Sequence, residues 1–170
     1  MMNKVLCSLL LFLSISCGLQ GRNANYARDS KRIWLDSKEI HHGEYVWKMK
    51  KAGDVISSAE KVSTLGYDTS DWLSAIVPGT VLNSLVYNKE YPEPYYGVNN
   101  KLESGKIPDI SKVGREFYTY WFRTEFDVPE SFAGKTIWLQ PDGVNYRAEI
   151  WVNGNLLSSI NGMFVNDYIN

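Results

Sequence analysis

The stretch "REFYTYWFRTEFDVPE", Arg115 to Glu130, limits the fold more than any other part of the chain. Tyr118, Tyr120, Phe122, Thr124, Phe126 and Val128 fall on one parity, and Thr119, Trp121, Arg123, Glu125 and Asp127 on the other. Alternation of apolar and polar residues with period two puts one set against a core and the other toward solvent, so a half-buried strand is predicted. Pro129 has no N–H for a ladder and ends it.

Companion strands follow. "KTIWLQP" predicts a second short strand. "NYRAEIWVNG" predicts a third, with Tyr146, Ala148, Ile150 and Val152 on one face and Arg147, Glu149 and Trp151 on the other. Asn153-Gly154 tolerates positive φ at both central positions of a type I′ turn, so the chain should return as a hairpin into "NLLSSI". Upstream, Tyr45, Trp47 and Met49 in "EYVWKMKKAGD" alternate with charged or small partners and predict another strand. Helical pattern is scarce. Thr80 is placed to cap a helix ending near Tyr87, with Val81, Leu82, Leu85 and Val86 at helical spacing behind Pro78-Gly79. One short helix among antiparallel strands predicts an all-β chain, a β-sandwich of jelly-roll type.

The N-terminus reads differently. "MMNKVLCSLLLFLSISCGLQG" has Lys4 as a positive flank, an apolar run from Val5 to Ile15 and the small residues Ser14 and Ser16 before Cys17. Residues 1–16 therefore read as an export signal, too short to span a membrane. Because Cys17 follows a small residue at the end of the run, the segment also resembles a bacterial lipoprotein signal with Cys17 as lipid acceptor; plain cleavage nearby is the alternative. Either cut removes Cys7, so no intrachain disulfide can form and the core alone must hold the fold. Residues 17–32 are polar and aperiodic and read as a tether, with order expected from about Ile33.

With 18 Lys plus Arg against 19 Asp plus Glu, the net charge is −1 and no basic stripe points to nucleic acid. There is no Cys/His metal spacing, no GxGxxG or Walker loop and no G-x-S-x-G elbow, so neither metal nor cofactor is expected. His41-His42, adjacent on an extended segment, would point to opposite faces and read as surface residues. Glu125 and Asp127 share a strand face at a spacing a glycosidase could use, but Arg123 lies on the same face, which favours an ordinary solvated surface. Trp121 and Trp151, on the parity opposite the core, are expected either to pack against a neighbouring domain or to be exposed, with packing favoured.

Six Trp and eleven Tyr supply flat apolar bodies with polar handles, a composition suited to sugar rings as well as to cores. In "YPEPYYGVNN", Pro92 and Pro94 stiffen the backbone, Tyr91, Tyr95 and Tyr96 are presented, and the chain turns at Gly97 before Asn99 and Asn100. Such a loop on a β scaffold suits binding; a purely structural loop is equally compatible with these residues.

The collinear blocks Trp72 to Val81, Pro92 to Asn99, Phe117 to Phe126, Gly143 to Gly154 and Gly162 to Phe164 resemble the N-terminal sugar-binding domain of glycoside hydrolase family 2. Within that family, which also includes β-galactosidase-like enzymes, the chain looks most like the β-mannosidase and exo-β-glucosaminidase branch, of the sort exported by carbohydrate-degrading Bacteroidetes. The resemblance implies a galactose-binding-like jelly roll over residues 33–170 lacking its last strands, no catalytic residue in this chain, and catalytic glutamates on a barrel domain missing from it. It implies Asn99 and Asn100 as hydroxyl contacts to a terminal β-linked sugar, with Tyr95 and Tyr96 shaping the wall. "GVNYRAEIWVNG" becomes a structural hairpin with Arg147 and Glu149 as facing partners. The function implied is the non-catalytic, sugar-binding front of an exported exo-β-glycosidase, periplasmic or lipid-anchored in the outer membrane. The alternative is a stand-alone carbohydrate-binding surface lipoprotein.

Overall fold

The structure, a computed structural model, describes residues 3–12, 32–162 and 168–169. Among the described residues six strands form one antiparallel sheet: β1 Asn3–Phe12, β2 Trp47–Lys51, β3 Leu73–Ser74, β4 Thr119–Val128, β5 Arg147–Val152 and β6 Asn155–Asn161. Their spatial order is β3-β2-β4-β1-β5-β6. Three short helices, α1 Ala59–Val62, α2 Val81–Tyr87 and α3 Ile110–Val113, lie in the connections. The chain is thus all-β, although the single helix expected from the sequence becomes three.

The alternating stretch is β4, and Pro129 follows its last residue. Trp47 stands opposite Thr124 and Met49 opposite Phe122, which aligns the apolar parities of β2 and β4 on one face. There Trp47, Met49, Tyr120 and Phe122 gather with Ala75, Val81 and Leu85, so α2 covers this half. Farther along the same face, Ala148 and Ile150 pack with Val144, Ile160 and Ile169.

The opposite face departs from expectation. Thr119, Trp121 and Arg123 are buried, so β4 is covered on both faces over its first six residues. Trp121 and Trp151 pack with Val62 and Trp72 inside the chain itself, not against another domain, because α1 and its flanks fold over them. Arg123, expected at a solvated surface, is only 5 % exposed. Among the described residues "KTIWLQP" forms no extended strand: Leu139 makes a single bridge to Ile169 through N–H···O bonds of 2.8 and 3.0 Å, while Ile137 and Trp138 are exposed. That bridge and the connecting segments supply the second layer among the described residues.

The hairpin forms as its sequence demands. Asn153 and Gly154 take φ of 49° and 85°, joining β5 to β6. The turn also docks on the end of α1, since Gly154 N–H donates to the Ser63 carbonyl and hydroxyl at 3.2 Å.

Thr80 caps α2: its hydroxyl accepts from Asn83 N–H at 3.0 Å. At the other end Lys89 adopts φ of 64°, and Glu90 N–H reaches back to Leu85 C=O while Lys89 N–H reaches Val86 C=O, both at 2.9 Å, in a Schellman arrangement. Asn88 ties the helix to the sheet, donating to Ser74 C=O at 2.7 Å and accepting from Ser74 N–H at 3.2 Å. Replacing Thr80 by alanine is expected to cost about 1 kcal/mol, read as a lower urea midpoint at unchanged slope. A change in slope without a change in midpoint would remove capping as the explanation.

Candidate functional site

The aromatic loop begins where α2 ends. Tyr91, expected to be displayed, instead packs against the cluster containing Tyr118, Tyr120 and Phe122, so it anchors the loop to the core. Burial raises the phenol pKa of Tyr91, as it does that of Tyr118; burial, followed by the nearby Tyr91, pushes Tyr120 up to about 12. These phenols stay neutral at ordinary pH and serve as packing groups.

Beyond Tyr91 the backbone winds through successive turns. Tyr96 N–H donates to Glu93 C=O, Asn99 N–H to Tyr96 C=O, Lys101 N–H to Val98 C=O and Ser104 N–H to Lys101 C=O, at 2.9 to 3.2 Å. Gly97 takes φ of 58°, a left-handed conformation that glycine adopts without side-chain conflict.

Asn99 lies at the centre of this coil and is buried. Its amide donates to Glu93 C=O at 2.9 Å, its side-chain oxygen accepts from Lys106 Nζ at 3.0 Å, and its own carbonyl accepts from the Ser104 hydroxyl at 3.1 Å. Those bonds hold both ends of the loop together. The side chains at the rim are different. Tyr95 and Tyr96 are 82 % and 78 % exposed, and Asn100 is exposed. Of the four residues marked from the sequence, three are therefore exposed, and the fourth is buried as a brace. Lys106, which closes the brace, carries no local signal, because its role depends on a partner seven residues back.

Away from the loop, a shallow cleft of about 360 Å³ is lined by Val46, Lys48, Tyr67, Arg123 and Glu125 among others. Two of its charges, Arg123 and Glu125, are committed. Arg123 donates through Nε to Val62 C=O at 3.1 Å and through Nη2 to Thr64 C=O at 2.9 Å, and it pairs with Glu125. Glu125 also accepts from Gly66 N–H at 2.8 Å, and the Tyr67 ring lies 5.9 Å from the guanidinium. Glu125 is thus a bracing carboxylate rather than half of an acid–base pair with Asp127. On β5, Glu149 accepts from Trp151 Nε1 at 3.1 Å, which fixes the buried indole.

His41 and His42 sit in a turn rather than an extended segment, with ring centroids 4.6 Å apart. Among the described residues no group of three or more His, Cys, Asp or Glu is arranged to hold a metal ion, and no helix is long and apolar enough to cross a membrane. Cys17, most of the tether and the residues Met163 and Phe164 lie outside the described residues.

Residues 47–170 match the family model described as glycosyl hydrolase 2 galactose-binding domain-like. The chain belongs to this family. A mannosylglycoprotein endo-β-mannosidase of Lilium longiflorum is 41 % identical over 96 residues, covering 56 % of this chain and 10 % of that enzyme. An exo-β-D-glucosaminidase of Amycolatopsis orientalis is 27 % identical over 64 % of this chain and 10 % of its own. A β-mannosidase B of Aspergillus terreus is 31 % identical over 70 % of this chain and 12 % of its own. The chain spans about a tenth of the length of these relatives. No solved structure matches.

Proposed function

We propose that this domain is the non-catalytic, sugar-binding front of an exported exo-β-glycosidase, and that its rim of Tyr95, Tyr96 and Asn100 forms part of the wall around a terminal β-linked sugar. The observation that carries the reading is the loop: two adjacent tyrosines more than three-quarters exposed on a backbone locked by Asn99. Leaving two large aromatic rings in water forfeits burial, whereas a rigid support lets them stack on a sugar's C–H face with little ordering cost. The glycosidase relatives supply the ligand class, and the leader-like residues 1–16 supply export, with lipidation at Cys17 as its anchored form. Hydrolysis belongs to two carboxylates on a barrel domain, so this chain by itself is expected to release no nitrophenol from an aryl β-mannoside. Sustained turnover by the purified chain would refute that assignment.

The binding test is calorimetric titration with methyl β-D-mannoside and methyl β-D-glucosaminide. A Kd in the millimolar range is expected, because one wall of a subsite yields only about 4 kcal/mol. Replacing Tyr95 and Tyr96 together by alanine should weaken binding at least about tenfold and leave stability within about 0.5 kcal/mol, since both rings are exposed. Unchanged affinity in the double variant would remove the loop from the site.

A further inference from the structure

Trp47 and Met49 carry the core parity of β2, so Lys48 belongs to the other face of the sheet, the face of Trp121 and Arg123 on β4. There Lys48 stands directly opposite Arg123. Side chains facing each other across an antiparallel pair have Cβ atoms about 5 Å apart, and like charges so placed repel. Glu125 answers one of the two cations, since its carboxylate pairs with Arg123 Nη2. Lys48 differs from the next lysine on its face: Lys50 pairs with Asp71, whereas no ion pair among the described residues includes Lys48. The three groups together leave one positive charge in excess.

Both cations line the cleft of about 360 Å³, together with Val46, Tyr67 and Thr69. Arg123 is fixed in place from behind, and its described bonds to Val62, Thr64 and Glu125 use Nε and Nη2, not Nη1. Tyr67 is held as well: its hydroxyl donates to Ser57 Oγ at 3.2 Å, and its ring packs edge-on to Trp72 with centroids 6.0 Å apart. A fixed guanidinium beside a mobile ammonium suits a carboxylate, which accepts from both. The space equals roughly a dozen liquid waters, more than a bare carboxylate fills. Tyr67 and Val46 offer apolar surface to a sugar's C–H groups, and Thr69 offers a hydroxyl.

We propose that this cleft binds a carboxylate-bearing sugar, a hexuronate, whose carboxylate bridges Lys48 Nζ and Arg123 Nη1 and whose ring lies against Tyr67 and Val46. The site is separate from the aromatic loop, which Tyr91 anchors on the opposite face of the sheet, and it does not rest on the role given to that loop.

The test is amide chemical-shift mapping of the full chain with methyl β-D-glucuronide. Methyl β-D-glucoside, which lacks the charge, and sodium acetate, which lacks the ring, are the comparison probes. Saturable shifts at residues 46–48, 66–69 and 123–125 are expected with the glucuronide, and each comparison probe should bind at least about tenfold more weakly. Lys48→Met keeps the apolar stem and should weaken glucuronide binding about tenfold without lowering Tm. Raising sodium chloride to about 0.5 M should weaken it too, by screening. Glucoside binding as tight as glucuronide binding, or an unchanged affinity in Lys48→Met, would overturn the charged contact. Acetate as tight as the glucuronide would overturn the sugar. Glucuronide shifts confined to residues 91–105 would overturn the cleft itself. Glucuronide shifts at the cleft, with Tyr95 and Tyr96 unmoved by any neutral glycoside, would uphold this site and refute the loop.

Discussion

Replacing Phe122 by alanine is expected to lower the unfolding free energy by roughly 3–5 kcal/mol, the range for truncating a buried aromatic ring. Phe122 is 2 % exposed and faces Met49 across the β2–β4 pairing, with Trp47, Val81 and Leu85 in the same cluster. The sheet fixes its Cα on two sides and α2 closes the third, so neighbours can collapse only partly into the space left. Guanidinium unfolding monitored by far-ultraviolet circular dichroism measures the loss. A deficit under about 1 kcal/mol would mean that this face is loosely assembled, contrary to the packing described. Phe122→Leu, which keeps most of the volume, should recover the greater part.

Arg123→Ala attacks the other face of the same strand and is expected to cost about 3 kcal/mol, lowering Tm by roughly 6–12 °C. The guanidinium bonds to Val62 C=O, at the end of α1, and to Thr64 C=O just beyond it, while Glu125 receives both Arg123 and Gly66 N–H. Its removal leaves two carbonyls and a partly buried carboxylate short of partners, and the cost comes mainly from those orphaned groups. Lysine keeps the charge but cannot divide it between two carbonyls and a carboxylate, so Arg123→Lys should recover less than half. Equal stabilities for Lys and wild type would show that only the charge matters there.

These two neighbours also mark what the sequence does and does not reveal. Period two in β4 and β2, Asn153-Gly154 in the hairpin and Thr80 before α2 are local signals, and local backbone chemistry realises each of them. The burial of Arg123 is not local: its partners Val62 and Thr64 lie 61 and 59 residues away in the chain. A hint was present in Trp121 and Trp151, which share its side of the sheet and make that face unusually apolar for a solvated one. "KTIWLQP" has strand composition, and among the described residues it is joined only by the Leu139–Ile169 bridge; composition does not name the partner edge that a ladder needs. Apolar chemistry in residues 3–12 is equally that of a leader and of a central strand, and composition alone does not separate the two.

At the loop, the aromatic and proline content was legible, but the division of labour was not. Asn99 and Asn100 are chemically identical neighbours; only the coil of turns decides that one is buried as a brace and the other faces outward. Tyr91 differs from Tyr95 in the same way, being drawn onto the core at the end of α2.

The most direct test of the sugar-binding account is residue-resolved amide chemical-shift mapping of the purified chain during titration with methyl β-D-mannoside and methyl β-D-glucosaminide. The expected result is a set of saturable shifts confined to Tyr91 through Gly105, largest at Tyr95, Tyr96 and Asn100. Shifts centred instead on the cleft of Arg123 and Glu125, or none with either glycoside, would contradict it.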